Sequence, residues 1–198
     1  TGTYFWRVRS RDLATNTSAY SSSMTFSIDV TGPPAPALVS PAAGACLTTA
    51  VVTLDWTDVV DVGCGGLLNY DVDVATDAAF TAIVQTATVV PSTYTTAALP
   101  SGSYFWRVRA RDTLNNTGPY SATGTFSVDL AAPSVPVLST PANGACVNTG
   151  TPILDWADAT DVGCGMLNYD VEIASDAGFL TIVQSATVIP STYTVNPA

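Results

Sequence analysis

The 198-residue chain contains no histidine and no lysine, and its one glutamate is Glu172. Without these residues it lacks the usual proton-transferring imidazole and the amine that forms Schiff bases, which removes much of enzyme chemistry. Basic residues are also scarce, because six arginines stand against 16 acids and give a net charge of -10. Nucleic acid is therefore a poor partner, since phosphate binding depends on clustered Lys and Arg.

Long hydrophobic runs are missing as well. Hydrophobic residues make up 47% of the chain, but 14 glycines and 13 prolines interrupt them. No apolar run approaches the roughly 20 residues that a bilayer span needs. With only 11% charged residues the chain is too apolar to be disordered. We therefore expect a folded protein without a transmembrane segment.

The sequence repeats itself. Residues 1–12, TGTYFWRVRSRD, return as SGSYFWRVRARD, and residues 1–30 share 17 identities with residues 101–130. The motif LDWTDVVDVGCG, which contains Trp56, returns as LDWADATDVGCG around Trp156. The period is 100 residues and then 99, because one residue is missing after the second CG pair.

Two proline-rich stretches, TGPPAP and AAPSVP, are typical of stiff linkers and place the domain boundaries. Residues 31–130 then form one complete repeat. Residues 1–30 are the C-terminal part of a repeat, with its sixth and seventh strands. Residues 131–198 are the N-terminal part of a repeat, with its first to fifth strands.

Short runs rich in Val, Ile, Thr, Tyr and Phe alternate in polarity and are separated by Gly, Pro, Asn or Asp, which indicates an antiparallel β-sandwich. No stretch has a helical period. The seven strands predicted for the complete repeat cover residues 37–40, 51–56, 69–75, 83–89, 93–96, 103–111 and 124–129. The predicted fold is all-β: tandem seven-stranded sandwiches of about 100 residues, one complete and two partial.

Three features support a family resemblance: Trp56 in the second strand, and Leu99 and Tyr104 in the LPSGSY corner before YFWRVRA. The chain resembles tandem fibronectin type III repeats of bacterial and archaeal surface proteins, whose sixth strand follows a tyrosine corner. The resemblance covers the complete repeat and both partial ones. It implies the sandwich fold but says little about function, and most members lack the cysteine pair found here.

Alternation assigns the faces of the sixth strand. If Tyr104 and Trp106 point inward, Arg107 and Arg109 point outward. The resemblance implies that the third strand pairs with the sixth, so the outward residues Asp71 and Asp73 should face these arginines. Such cross-strand pairs are worth roughly 0.2–1 kcal/mol each and mainly specify register.

The two partial repeats are complementary in charge and in the strands that they contain. Residues 1–30 have three Arg and two Asp, a charge of +1, whereas residues 131–198 have six acids and no Arg, a charge of -6. We predict that the first segment of one copy completes the last segment of the next, head to tail, or that adjacent repeats of a longer chain do so. Completion within one chain would require the short linkers to span the middle domain. The predicted inter-subunit residues are Tyr4, Trp6, Arg7, Arg9, Phe26, Tyr169, Asp170 and Glu172.

The cysteines also follow the repeat, because Cys46 and Cys64 lie 18 residues apart, as do Cys146 and Cys164. A zinc site needs four clustered ligands, commonly with a C-x-x-C pair, and neither that spacing nor a histidine is present. We predict one disulfide within each repeat, worth roughly 3 kcal/mol. Disulfides imply an oxidising compartment, so the protein should be extracellular or on the cell surface.

Other candidate sites are less specific. Two D-x-x-D-x-x-D runs are weak calcium candidates, although such Asp residues also form turns: Asp55, Asp58 and Asp61, and then Asp155, Asp158 and Asp161. No other cofactor is expected. Asn16 and Asn115 lie in N-x-S/T sequons and are glycosylation candidates. The four tryptophans fit core positions better than a sugar-binding platform, whereas Phe5 and Phe105 should point outward.

These observations favour a structural, non-catalytic extracellular protein that forms a filament or surface stalk by head-to-tail completion of domains. Its partners would be copies of itself or adjacent repeats. The alternative is an adhesive or carbohydrate-binding accessory module of a secreted protein. An enzyme is disfavoured, because the Asp residues that could form a catalytic pair lie in duplicated loops.

Overall fold

The computed structural model describes residues 1–161, 163–165 and 168–196, so five residues of the predicted third segment lie outside it. The described residues form β-strands and no helix, as the sequence predicts. Accordingly, no helix long and apolar enough to cross a membrane occurs in them. The chain divides into two compact units, Thr1–Val128 and Asp129–Ala198.

The first unit contains ten strands. They are β1 (Gly2–Trp6), β2 (Met24–Ile28), β3 (Leu38–Ser40), β4 (Ala45–Leu47), β5 (Thr53–Trp56), β6 (Leu67–Ala75), β7 (Ile83–Val89), β8 (Thr93–Thr95), β9 (Gly102–Asp112) and β10 (Gly124–Val128). The first two pair antiparallel as a hairpin, and the other eight form the middle domain.

The middle domain has two sheets, with strand orders β4-β10-β9-β6-β7 and β3-β5-β8. All seven strands predicted for it are present. The eighth, β4, was missed because its three residues show no alternation, and it pairs parallel with β10 at the edge of the larger sheet. The arrangement is that of a β-sandwich whose apolar faces enclose one core.

The core forms where the inward residues of both sheets meet. Trp56 and Trp106 are both buried there, with ring centroids 6.3 Å apart, and Tyr70 lies edge-on to Trp56. The predicted corner is also present, because Leu99 is buried and the Tyr104 hydroxyl donates a hydrogen bond to the Pro100 carbonyl at 2.8 Å. Inward positions predicted by alternation are therefore correct in this domain.

The β1-β2 hairpin repeats the sequence of β9 and β10 but is not covered in the same way. Tyr4 is 47% exposed and Trp6 is 50% exposed, whereas their counterparts Tyr104 and Trp106 are 3% and 0% exposed. Within the described part of the chain no second sheet lies over this hairpin, and the burial of Trp6 by a neighbouring copy stays a prediction.

The second unit contains β11 (Val137–Thr140), β12 (Ile153–Ala157), β13 (Tyr169–Ala174), β14 (Ile182–Val188) and β15 (Thr192–Thr194). These strands form two small sheets, β11-β12-β15 and β13-β14. An open depression of about 350 Å³ lies between them, with Trp156 and Tyr169 in its lining. Trp156 itself is buried and meets Tyr169 edge-on at 5.3 Å.

Candidate functional site

An ion-pair ladder lies on the outer face of the larger sheet. Strand β9 pairs with β6 so that Arg109 faces Asp71 and Arg107 faces Asp73. The guanidinium groups of Arg107, Arg109 and Arg111 lie 3.1, 3.2 and 2.8 Å from these carboxylates. The cross-strand pairing predicted from alternation is confirmed.

Aromatic rings cover this ladder. The guanidinium of Arg107 lies 4.1 Å from the ring centroid of Phe80 and 3.8 Å from that of Tyr120. Burial raises the pKa of Tyr120, and a hydrogen bond with Asp73 raises it further. Asp73 is only 7% exposed as a result, so the outer face is partly desolvated and its ion pairs are stronger than fully exposed ones.

Charges at the corresponding positions of the partial repeats keep the aromatic and hydroxyl contacts of the middle domain but make no ion pair among the described residues. Arg7 and Arg9 lie over the ring of Tyr20, at 4.0 and 4.8 Å from its centroid. Asp170 accepts a hydrogen bond from the Thr187 hydroxyl at 2.7 Å. Glu172 is exposed on β13. Within the described part of the chain, the ion pairs all lie in the middle domain.

A second notable region is the joint between the hairpin and the middle domain. The linker lies so close to the turn after β9 that a Cβ on Gly32 would meet the carbonyl carbon of Thr117 at 2.4 Å. A Cβ on Gly118 would meet the Pro33 carbonyl oxygen at 2.0 Å. Pro33 is fully buried. The linker is therefore packed against the domain that follows it.

Asp29 fastens the end of the hairpin to this joint. It is 8% exposed, and its Oδ1 accepts hydrogen bonds from the Thr31 N–H at 3.2 Å and the Thr31 hydroxyl at 2.9 Å. The backbone bond from Thr31 is the main cause that lowers the pKa of Asp29. The Gly63 backbone lies against this carboxylate, so that a Cβ at that position would be 1.5 Å from the Asp29 Oδ2. Asn116 donates its side-chain N–H to the Asp29 carbonyl at 3.3 Å.

Asp112, at the end of β9, lies in the same region and is fully buried. Its Oδ1 accepts the N–H groups of Leu114 and Asn116 at 2.9 and 2.8 Å, and its Oδ2 accepts the Asn116 side-chain N–H at 2.8 Å. One carboxylate oxygen from each of Asp29, Asp61 and Asp112 lies within 4.8 Å of the other two.

This cluster differs from the calcium runs predicted from the sequence. It contains Asp61 but neither Asp55, which lies on β5, nor Asp58, which is exposed. In the second run Asp155 lies on β12 and Asp158 is exposed. The runs do not converge because their first residue belongs to a strand and their last to the following loop. The sequence does contain a signal for the residues outside the runs, because Asp12 and Asp29 recur 100 residues later as Asp112 and Asp129.

The same loop recurs in the second unit. The Cys164 N–H donates to the Asp129 carboxylate at 3.0 Å, and this bond is the main cause that lowers the pKa of Asp129. A Cβ on Gly163 would meet the Asp129 Cγ at 2.1 Å. Asp161, the counterpart of Asp61, has a buried carboxylate oxygen there.

The predicted disulfide within each repeat is wrong. Cys46 and Cys164 are disulfide-bonded, whereas Cys64 and Cys146 are exposed free thiols. Cys46 on β4 lies opposite Ser127 on β10, which lies opposite Ser103 at the start of β9. Cys64 comes three residues before β6, whose first residue lies opposite Asp112 at the end of β9. These positions are separated by about nine residues of strand, or about 30 Å. A disulfide requires Cα atoms within about 7 Å.

The two sequons are placed differently. Asn115 is exposed and has a φ of 67°. Asn16 is also exposed, but its side-chain amide donates a hydrogen bond to Asp12 at 2.8 Å. Glycosylation at both positions stays a prediction. Phe5 is 74% exposed, as expected. Phe105 is less exposed than expected, because it is half-buried on the strand that carries the arginine ladder.

No family model matches the chain. Among curated proteins it is similar to endoglucanase B of Cellulomonas fimi, with 32% identity over 97% of this chain and 18% of that protein. It is also similar to exoglucanase B of Cellulomonas fimi, with 32% identity over 85% of this chain and 15% of that protein. The chain therefore spans less than a fifth of these relatives.

Among solved structures, the FN1–FN3 domains of chicken CNTN1 match 96% of this chain and 66% of that chain, with 15% identity and a TM-score of 0.38.

Proposed function

We propose that this chain is a non-catalytic, extracellular β-sandwich spacer in which the β1-β2 hairpin is held to the middle domain at a rigid joint. The packed joint between the hairpin and the middle domain carries this proposal. A flexible tether would leave its linker in solvent, as glycine- and serine-rich linkers do. Here Pro33 is fully buried, and Gly32 and Gly118 allow backbone to approach backbone.

The relatives support a place in a larger secreted protein. They are named as glucanases, and 97% of this chain aligns with only 18% of the first relative. Such a match fits an accessory segment that accompanies a catalytic domain. The disulfide-bonded state of Cys46 and Cys164 fits an oxidising, extracytoplasmic compartment. We infer that the spacer belongs to the architecture of secreted polysaccharide-degrading proteins.

A second candidate is a filament or stalk built by completion of domains. The apolar face of the hairpin, with Tyr4 and Trp6, is about half exposed. The second unit has an open depression of about 350 Å³ lined in part by Asp170 and Glu172. We propose that the hairpin of one copy covers the depression of another copy. Arg7 would then meet Glu172, as Arg107 meets Asp73. Arg9 would meet Asp170, as Arg109 meets Asp71.

Nuclear spin relaxation of backbone ¹⁵N tests the rigid joint. If the joint is rigid, residues of β1 and β2 share one rotational correlation time with residues of β9 and β10. Gly32→Val should decouple the two, because its side chain collides with Thr117. Gly150→Val is the control, since a Cβ at Gly150 meets no atom within 4 Å. Separate correlation times in the unmodified chain would contradict the proposal.

Retention on insoluble cellulose distinguishes the spacer from a carbohydrate-binding module. A spacer should remain in the supernatant at all protein concentrations. Saturable retention that Phe5→Ala or Phe105→Ala abolishes would instead establish the binding module, because these are the aromatic residues on outer strand faces.

A further inference from the structure

We propose that Asp29, Asp61 and Asp112 bind one calcium ion at the joint between the hairpin and the middle domain. The three residues come from separate parts of the chain: Asp29 follows β2, Asp61 lies in the loop between β5 and β6, and Asp112 ends β9. The fold brings one oxygen of each within 4.8 Å of the others. The proposal rests on the proposed joint, because Asp29 reaches the other two only when the joint is packed.

The Oδ2 atoms of Asp29 and Asp61 are both buried, and neither accepts a hydrogen bond of good geometry. The backbone N–H of Gly65 lies near enough to the Asp29 carboxylate to contribute to its lowered pKa. Asp29 is more than nine-tenths buried, and its other oxygen already accepts three hydrogen bonds, from Thr1 and Thr31. A buried carboxylate oxygen without a donor is costly. These oxygens are therefore suited to bind a cation.

The protein does not supply that partner as a side chain among residues 1–161, 163–165 and 168–196. The arginine ion pairs described there involve Asp71 and Asp73 and none of the three clustered carboxylates. Three carboxylates this close repel one another strongly when withdrawn from water. Two outcomes relieve the repulsion: a bound cation or a proton shared between carboxyl groups.

The donor set favours calcium over other metal ions. All three residues offer oxygen, and hard oxygen donors suit calcium or magnesium, whereas zinc and copper prefer nitrogen or sulfur. Magnesium demands near-ideal octahedral geometry, while calcium accepts irregular oxygen sites such as one assembled from a loop and two strand ends. Extracellular modules commonly bind calcium with Kd of about 10⁻⁴–10⁻³ M.

Calcium binding would join two consecutive segments at one point. Asp29 belongs to the hairpin, while Asp61 and Asp112 belong to the middle domain. The Gly63 backbone and the Asn116 side chain hold Asp29 and Asp112 in place before the ion arrives. The ion would therefore increase the stability of the joint more than it changes its geometry.

Isothermal titration of the EDTA-treated full chain with calcium chloride tests the site. We expect one calcium ion per chain, with Kd of about 10⁻⁴–10⁻³ M and at least tenfold weaker binding of magnesium. Calcium at 100 times Kd should raise Tm by about 5–10 °C. No heat of binding and no shift in Tm at about 100 mM calcium, which is at least 100 times the expected Kd, relative to sodium chloride of equal ionic strength, would overturn the proposal. A shift produced only by acid, and equal with calcium or EDTA, would assign the cluster to a shared proton and would also overturn it.

Asp61→Asn tests the residue assignment with nearly unchanged side-chain volume. It should weaken calcium binding at least tenfold, while Asp58→Asn, an exposed control three residues away, should bind like the unmodified chain. Circular dichroism in EDTA checks that both variants fold. Equal calcium affinity in Asp61→Asn and the unmodified chain would overturn the site. Relaxation of backbone ¹⁵N in EDTA measures the rigidity of the joint independently of calcium. A rigid joint in a chain that binds no calcium would therefore reject the calcium site but not the proposed spacer function.

Discussion

Arg107 lies directly across the β6-β9 ladder from Asp73, with its Nη2 3.1 Å from the carboxylate Oδ2. The same guanidinium is covered by Phe80 and Tyr120, so the pair is only partly accessible to water. This relationship links the repeat sequence to strand register, because sliding β9 by one residue would turn the arginines toward the core.

A double-mutant cycle on this pair should show a favourable coupling. Arg107→Ala and Asp73→Ala should each destabilise the chain, and their coupling free energy should be about 0.5–1 kcal/mol. Urea unfolding of the four proteins measures it. Arg111→Ala combined with Asp73→Ala is the control, because Arg111 pairs with Asp71 instead. Coupling near zero for Arg107 and Asp73 would show that the stacked ion pair does not contribute to stability.

Charge reversal should test the completion of domains. If hairpin and depression associate between copies, replacing Arg7 and Arg9 by Asp should weaken self-association at least tenfold, because like charges would face each other. Adding Asp170→Arg and Glu172→Arg should restore part of it. Sedimentation velocity over a range of concentrations measures the association. Asp158→Arg, at an exposed loop position, is the control. Unchanged association after the Arg7 and Arg9 reversal would refute the proposed register.

Thiol reactivity should divide the cysteines into two classes. Cys64 and Cys146 should be alkylated in the native protein, because both are exposed free thiols. Cys46 and Cys164 should react only after reduction, because they are disulfide-bonded. Mass spectrometry of differentially alkylated peptides identifies each site. Protection of Cys64 together with Cys46 before reduction would instead restore the pairing within one repeat.

Acid should destabilise the protein through its hydrogen-bonded aspartates. The N–H groups of Ala79, Thr81 and Ala82 donate to the Asp77 carboxylate, and the bond from Ala82 is the main cause that lowers its pKa. Because the folded-state pKa is below the unfolded value of about 4, ionised Asp77 stabilises the fold above that pH. That stabilisation is lost as pH falls through the lower folded-state pKa.

We therefore expect Tm to be nearly constant from about pH 8 to 5 and to decrease below about pH 4. Asp77→Asn should lower Tm at pH 7 and flatten the decrease at acid pH. Calorimetry in EDTA at several pH values measures both effects without interference from calcium. Asp58→Asn is the control for loss of an acid in a loop. An acid-induced decrease as steep in Asp77→Asn as in the unmodified chain would contradict the assignment.

Gly63→Ala should disrupt the joint selectively. The added Cβ would lie 1.5 Å from the Asp29 Oδ2, so either the loop or the aspartate must move. We expect faster amide hydrogen exchange in β1 and β2, with the middle-domain core unaffected. Gly150→Ala supplies a control with open space. Identical exchange in the Gly63→Ala hairpin and the unmodified hairpin would show that Asp29 does not depend on this loop.

Local pattern was sufficient for much of the fold. Period-two alternation placed Tyr104 and Trp106 inward and Arg107 and Arg109 outward, and the structure has them there. All seven strands predicted for the middle domain exist because each carries its own alternation and turn signals. Strand β4 was missed because its residues, Ala45, Cys46 and Leu47, are all apolar and show no alternation of polarity.

Contacts between distant segments were not available from the same pattern. The equal spacing of the cysteines suggested a disulfide within each repeat, but β9 separates Cys46 and Cys64 by most of its length. Likewise the Asp run suggested that neighbours in sequence share a site. The fold brings Asp112, at the end of β9, and Asp29, just after β2, to Asp61.

The sequence by itself determined the repeat, the strands and the face to which each side chain points, because these depend on local spacing and polarity. Tertiary structure decided which of those faces is covered. Trp6 and Trp106 occupy the same position of the same motif, yet one is 50% exposed and the other is fully buried. The physical reason is that burial requires an opposing sheet, and a strand's own sequence specifies only the surface that such a sheet would cover.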